Sequence, residues 1–67
     1  MEVFANNFKT LRQLNKKNQK DVSVIFHVAQ STISNWEAGR QIPEIPMLIA
    51  IAKYFEVSTD YLLGLED

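Results

Sequence analysis

The sequence predicts an all-α fold, a compact arrangement of five short helices, and three observations carry that prediction. Apolar residues recur at intervals of three and four along most of the chain, the spacing of one helix face. No stretch alternates apolar and polar residues as a half-buried strand would. Residues that start helices (Asn18, Ser58) and residues that stop them (Gly39, Gly64) fall between the periodic runs and leave only short connections.

Taken in order, Phe4, Phe8, Leu11 and Leu14 are spaced by four, three and three, which places them on one face of a first helix ending near Lys16 or Lys17. Asn18 is a good N-cap for a second helix, and Asp21 puts an acid in its first turn. Val22 and Phe26 form that helix's inward stripe. His27, Val28 and Ala29 read as a tight connection. A third helix runs from about Gln30 to Ala38 with Ile33 and Trp36 facing the core, and Gly39 stops it in the left-handed position. The prolines of GRQIPEIP prevent a helix through that segment, while Pro46 suits the first turn of a fourth helix carrying Leu48, Ile51, Ala52 and Phe55. Ser58 caps a fifth, with Asp60 in its first turn, Tyr61 and Leu62 as anchors and Gly64 as terminator.

With 67 residues, 46 % apolar and 22 % charged, the chain reads as one globular domain over 1–67 rather than a disordered or fibrous segment. The absence of cysteine excludes a disulfide, a thiolate zinc site and a cysteine nucleophile. A single histidine, no Gly-rich phosphate loop and no carboxylate pair at a motif spacing make an enzyme the least supported class. His27 reads as a turn residue, and neither a metal nor a cofactor is expected. The opening MEVFANNF lacks the basic and apolar regions of a signal peptide, and the apolar run Met47 to Ala52 is far short of the roughly 20 residues that cross a bilayer. A cytoplasmic, bacterial or phage-encoded protein with no membrane partner is expected.

Net charge is -1, but unevenly spread. Through Arg40 six basic side chains face three acidic ones, giving +3; from Gln41 onward one faces five, giving -4. Such asymmetry suggests that one part of the surface meets an anion. The informative segment lies in the basic part, at 19–38 (QKDVSVIFHVAQSTISNWEA). Two short helices joined by about three residues, each with a narrow apolar stripe, must cross steeply to bury both stripes in one core. The second then turns outward Gln30, Ser31, Ser34 and Asn35, all uncharged hydrogen-bonding groups. Ser and Asn are poor helix formers, so their concentration on one face suggests selection for hydrogen bonding. A helix of about eight residues is about 12 Å long and fits a B-DNA major groove.

The residues now in place resemble the Cro/cI (Xre) family of helix-turn-helix transcription regulators. Arg12 of LRQL, Gln19 opening the second helix, STISNWEAGR (31–40), Pro43 and VSTDYLLG (57–64) carry the likeness, which extends from Phe4 to Gly64. Trp-Glu-x-Gly and Asp-Tyr-Leu-Leu-Gly at this separation are its most specific part. The resemblance implies a five-helix, lambda-repressor-like domain that binds double-stranded DNA with the helix 30–38 in the major groove. It places Gln30, Ser31 and Asn35 at base edges, where Gln and Asn can pair with adenine N6/N7. It places Asn18, Gln19, Thr32, Ser34 and Arg40 at phosphates, with an exposed helix N-terminus favouring an anion beside Gln19. Lys16, Lys17 and Lys20 would add diffuse attraction; Lys16 and Lys17 read as a solvated helix end rather than specific contacts. Arg12 and Glu37 match an ion pair that locks the first helix to the third, and Trp36 is core.

Three positions depart from the family pattern. His27 stands where Gly is usual, in a turn that wants a positive φ, and histidine is among the few side chains enriched there. Ala29 replaces a Ser or Thr cap, forgoing about 1 kcal/mol. Lys17 takes a commonly apolar position, which should loosen the exit of the first helix. The fourth helix is apolar on every side, which suggests burial on more than one face and a homodimer over that flank, with Tyr61 and Leu65 nearby. Two-fold symmetry would imply a pseudopalindromic operator. The bland reading is that Ile49 completes the monomer core. The functional expectation is a sequence-specific regulator, a repressor that occludes a promoter. An antitoxin-like or adaptor module holding a protein partner on the same scaffold is the alternative.

Overall fold

Five helices make up the computed structural model, which describes residues 2–66: α1 (Glu2–Leu14), α2 (Gln19–Phe26), α3 (Gln30–Glu37), α4 (Ile45–Phe55) and α5 (Thr59–Leu62). The ends of the expected domain, Met1 and Asp67, lie outside the described residues. Among the described residues there is no strand.

Aromatic rings organise the core. Phe8 is fully buried, with its ring 5.7 Å from that of Phe4, 6.3 Å from Phe26, 5.6 Å from Trp36 and 6.1 Å from Phe55. Four helices thus meet on one side chain of α1. The pairs with Trp36 and Phe55 are edge-to-face, and such aromatic pairs add about 0.5–1.5 kcal/mol each beyond the area they bury. Val22, Ile33, Ile51 and Leu62 fill the remaining interior. Asn7 ties α1 to the far end of the chain, its Nδ2 donating to the carbonyls of Tyr61 at 3.0 Å and Leu62 at 3.4 Å.

All five helices end in the same turn. Lys16, His27, Gly39, Glu56 and Gly64 have φ of 57°, 56°, 76°, 57° and 76°, so each sits in the left-handed region just past its helix. The N–H that follows each reaches back five residues: Lys17 to Arg12 (3.1 Å), Val28 to Ser23 (3.0 Å), Arg40 to Asn35 (3.0 Å), Val57 to Ala52 (3.0 Å) and Leu65 to Asp60 (2.8 Å). This is the Schellman arrangement, which satisfies helix carbonyls while reversing the chain. His27 takes the positive φ that its place in the turn calls for. At Lys16, His27 and Glu56 a side chain occupies a conformation suited to glycine, at about 1–2 kcal/mol each. At Gly64 a Cβ would collide with Val3 Cγ1.

Three local expectations are corrected. The first helix stops at Leu14 rather than near Lys16 or Lys17, and Leu14 is 73 % exposed. Each three-residue step falls about 60° short of a full turn, so two in succession carry Leu14 off the stripe that Phe4 and Phe8 define. Just past the helix, the Arg12 side chain donates through Nη1 to the Lys17 carbonyl at 2.9 Å, tying the turn back to α1. Tyr61 is a surface residue, and Leu62 alone anchors α5. The fourth helix buries one face, through Leu48, Ile51, Ala52 and Phe55, and leaves Ile45 and Ile49 exposed, so Ile49 does not complete the core.

Candidate nucleic-acid interface

Residues of α2 and α3 build the site. Asn18 opens α2 with a capping box: its Oδ1 accepts from the Asp21 N–H at 2.7 Å, and the Asp21 carboxylate accepts from the Asn18 N–H at 2.9 Å. Two first-turn donors are thereby taken, and a carboxylate stands beside the helix end. What the Asn18 side chain has left to offer an anion is its amide nitrogen. The left-handed His27 then turns the chain into α3 within three residues.

In α3, Ile33 and Trp36 face the core. At about 100° per residue, Gln30, Ser34, Ser31 and Asn35 fall within an arc of about 140° on the other side. Gln30 and Ser31 are exposed, while Thr32, Ser34 and Asn35 are half-buried; none is turned into the interior. Ala29, as a side chain without oxygen, gives α3 no cap. Trp36 is 2 % exposed, packed edge-on against Phe4 and Phe8, and its indole Nε1 has no hydrogen-bond partner. It belongs to the core.

A three-helix network supports this surface from behind. Arg12 grips Glu37 with two hydrogen bonds, Nε to Oε2 at 2.6 Å and Nη2 to Oε1 at 3.0 Å. Their side chains are only 11 % and 5 % exposed. The Glu37 hydrogen bond, aided by its charge and opposed by burial, raises the Arg12 pKa above its ordinary value. Glu37 Oε1 also accepts from Gln19 Nε2 at 3.2 Å. One carboxylate at the end of α3 thus joins α1 and fixes the amide of the residue that opens α2. The second hydrogen on Gln19 Nε2 is left for another acceptor. Sequence spacing did not disclose this bond, because the two residues are 18 apart and meet only once the helices cross.

At the other end of α3, Arg40 Nη1 donates to Asn35 Oδ1 at 3.1 Å, a second contact the sequence reading missed. Lys16, Lys17 and Lys20 line a shallow depression with Asp21, Val24 and Ile25, so positive charge flanks the start of α2. Among the described residues no three His, Cys, Asp or Glu side chains cluster as a metal site requires, and no helix is long and apolar enough to cross a membrane. The surface therefore offers uncharged donors and acceptors on a groove-sized helix, with Arg40 at its end and lysines at the start of α2.

The Helix-turn-helix family model matches residues 8–62. Over 65 residues, 97 % of this chain, it is 28 % identical to the uncharacterized HTH-type transcriptional regulator YobD of Bacillus subtilis. It is 31 % identical over 64 residues, 96 % of its length, to the HTH-type transcriptional activator BcrR of Enterococcus faecalis. To the HTH-type transcriptional regulator ImmR of Bacillus subtilis it is 30 % identical over 59 residues, 88 % of its length. The aligned region spans 58 %, 31 % and 46 % of those three proteins, so each relative carries sequence beyond the part matched.

Proposed function

This chain belongs to the Cro/cI-type helix-turn-helix family, and from that premise we propose that it is a sequence-specific, double-stranded-DNA-binding regulator of transcription. The observation that carries the reading is the outward face of α3, where Gln30, Ser31, Thr32, Ser34 and Asn35 present amides and hydroxyls, while Lys16, Lys17 and Lys20 gather at the start of α2. Laid in the major groove, α3 brings Gln30, Ser31 and Asn35 to base edges. Asn18, Gln19, Thr32, Ser34 and Arg40 approach phosphates, with the Gln19 amide preset by Glu37. Such contacts fix register, while the base contacts supply sequence preference.

Fluorescence anisotropy on duplexes selected from a random pool, repeated over a salt series, tests this. Binding that weakens steeply as salt rises is expected, since each phosphate contact releases counterions. No binding at low salt would refute it.

The chain acts as a homodimer, at least on DNA. The exposed apolar residues Ile45 (72 %), Ile49 (43 %), Tyr61 (38 %) and Leu65 (73 %), on α4, on α5 and just after it, support this; two-fold symmetry then calls for a pseudopalindromic site. Selected sequences without inverted repeats would count against it. Its effect is repression by occluding a promoter, read as reduced reporter output when the operator overlaps the start site; BcrR, by its name, acts in the opposite sense. The same exposed apolar surface favours a second reading, an antitoxin-like or adaptor module. A stoichiometric protein partner recovered together with sequence-blind DNA binding would select it.

A further inference from the structure

The turn that closes α3 alters what its last outward amide can read. Left-handed Gly39 bends the chain so that Arg40 N–H bonds the Asn35 carbonyl at 3.0 Å. That backbone closure brings the Arg40 side chain beside the Asn35 side chain, where Nη1 donates to Oδ1 at 3.1 Å. An asparagine amide has one acceptor atom and one nitrogen with two donor hydrogens. With one of the two lone pairs of Oδ1 taken by the guanidinium, the unengaged hydrogens on Nδ2 are the larger part of what Asn35 offers outward.

Adenine is read through both ends of an amide, Oδ1 accepting from N6 and Nδ2 donating to N7. Here one lone pair of the acceptor is engaged, and the charged, donor-only guanidinium beside it disfavours a second donor such as the adenine amino group at the same oxygen. Guanine instead shows two acceptors, N7 and O6, on its major-groove edge. We propose that Arg40 is a specificity-determining residue, which by holding Asn35 Oδ1 makes Asn35 a donor and directs it to guanine rather than adenine. This rests on the DNA-binding reading above and goes beyond a phosphate contact for Arg40.

The test uses the whole chain and the duplex it selects from a random pool, varied one base pair at a time in competition anisotropy. Asn35→Ala identifies the base pair that Asn35 reads, as the one where preference collapses. There the unaltered chain favours guanine over adenine by about tenfold, within the range of one good base contact. Arg40→Ala reduces that ratio to about threefold or less and leaves preferences at other positions unchanged. Circular dichroism melts of both variants verify that they remain folded. If Arg40 only neutralises a phosphate, Arg40→Ala weakens every duplex equally, lowers the salt slope by about one and leaves the guanine preference intact, which overturns the proposal. An adenine preference at the Asn35 position overturns it as well. Failure of the unaltered chain to select any sequence defeats the DNA reading itself; selection that survives Asn35→Ala at every position defeats only this inference.

Discussion

Glu37→Ala isolates the network that joins three helices. The substitution strands the Arg12 guanidinium, 11 % exposed, without a counter-charge and removes the acceptor of Gln19 Nε2. Breaking one side of a buried pair costs about 3–5 kcal/mol. A chain of this length holds on the order of 3–10 kcal/mol in total, at about 0.05–0.15 kcal/mol per residue. One carboxylate therefore carries a large share of the stability, and the melting temperature should fall by at least about 12 °C. Replacing both partners, Arg12→Met with Glu37→Leu, removes the stranded charge and should lie within about 1 kcal/mol of the starting protein. A double-mutant cycle built from Arg12→Met and Glu37→Leu, singly and together, should then give a coupling of about 2 kcal/mol or more.

Urea unfolding followed through the single tryptophan, Trp36, 2 % exposed when folded, measures each corner of the cycle. Because the Arg12 pKa is raised, its contribution is whole throughout the neutral range and is lost only as pH climbs through that raised value. A Glu37→Ala loss below about 1 kcal/mol, or a coupling near zero, would mean that the pair behaves as an exposed surface pair and that the reasoning is wrong.

Three further perturbations follow from the local geometry. His27→Gly relieves a left-handed side chain at φ 56°, and should raise stability by up to about 1 kcal/mol in urea titration. Gly64→Ala should lower the melting temperature, because the new Cβ meets Val3 Cγ1 at φ 76°, and Val3→Ala in the same chain should restore part of the loss. Ala29→Ser supplies the side-chain oxygen that α3 lacks, adding about 1 kcal/mol and slowing hydrogen exchange in the first turn of α3.

Most of the fold was legible because its signals are local. Asn18 and Ser58 accept first-turn N–H groups as their types imply, and Gly39 and Gly64 take left-handed φ. What misled was distance along a face: Leu14 followed the spacing but drifted off the stripe, and the apolar run 47–52 gave no sign of which side of α4 stays open. For the site, low helix propensity picked out the outward residues of α3, yet neither Gln19–Glu37 nor Arg40–Asn35 could be read beforehand. The first depends on how α2 crosses α3, and the second on a turn that brings a side chain back beside the helix it has just left.

The five closed helix ends leave the chain almost no slack. Between α2 and α3 only three residues intervene, and the reversal there is stitched by backbone bonds that no side chain controls. Lengthening that corner would swing α3 away from α2 and dismantle the shared floor beneath both. New preferences must therefore be acquired by exchanging side chains on a fixed platform, position by position, while the seven-residue stretch before α4 is the place where the length of the chain can drift.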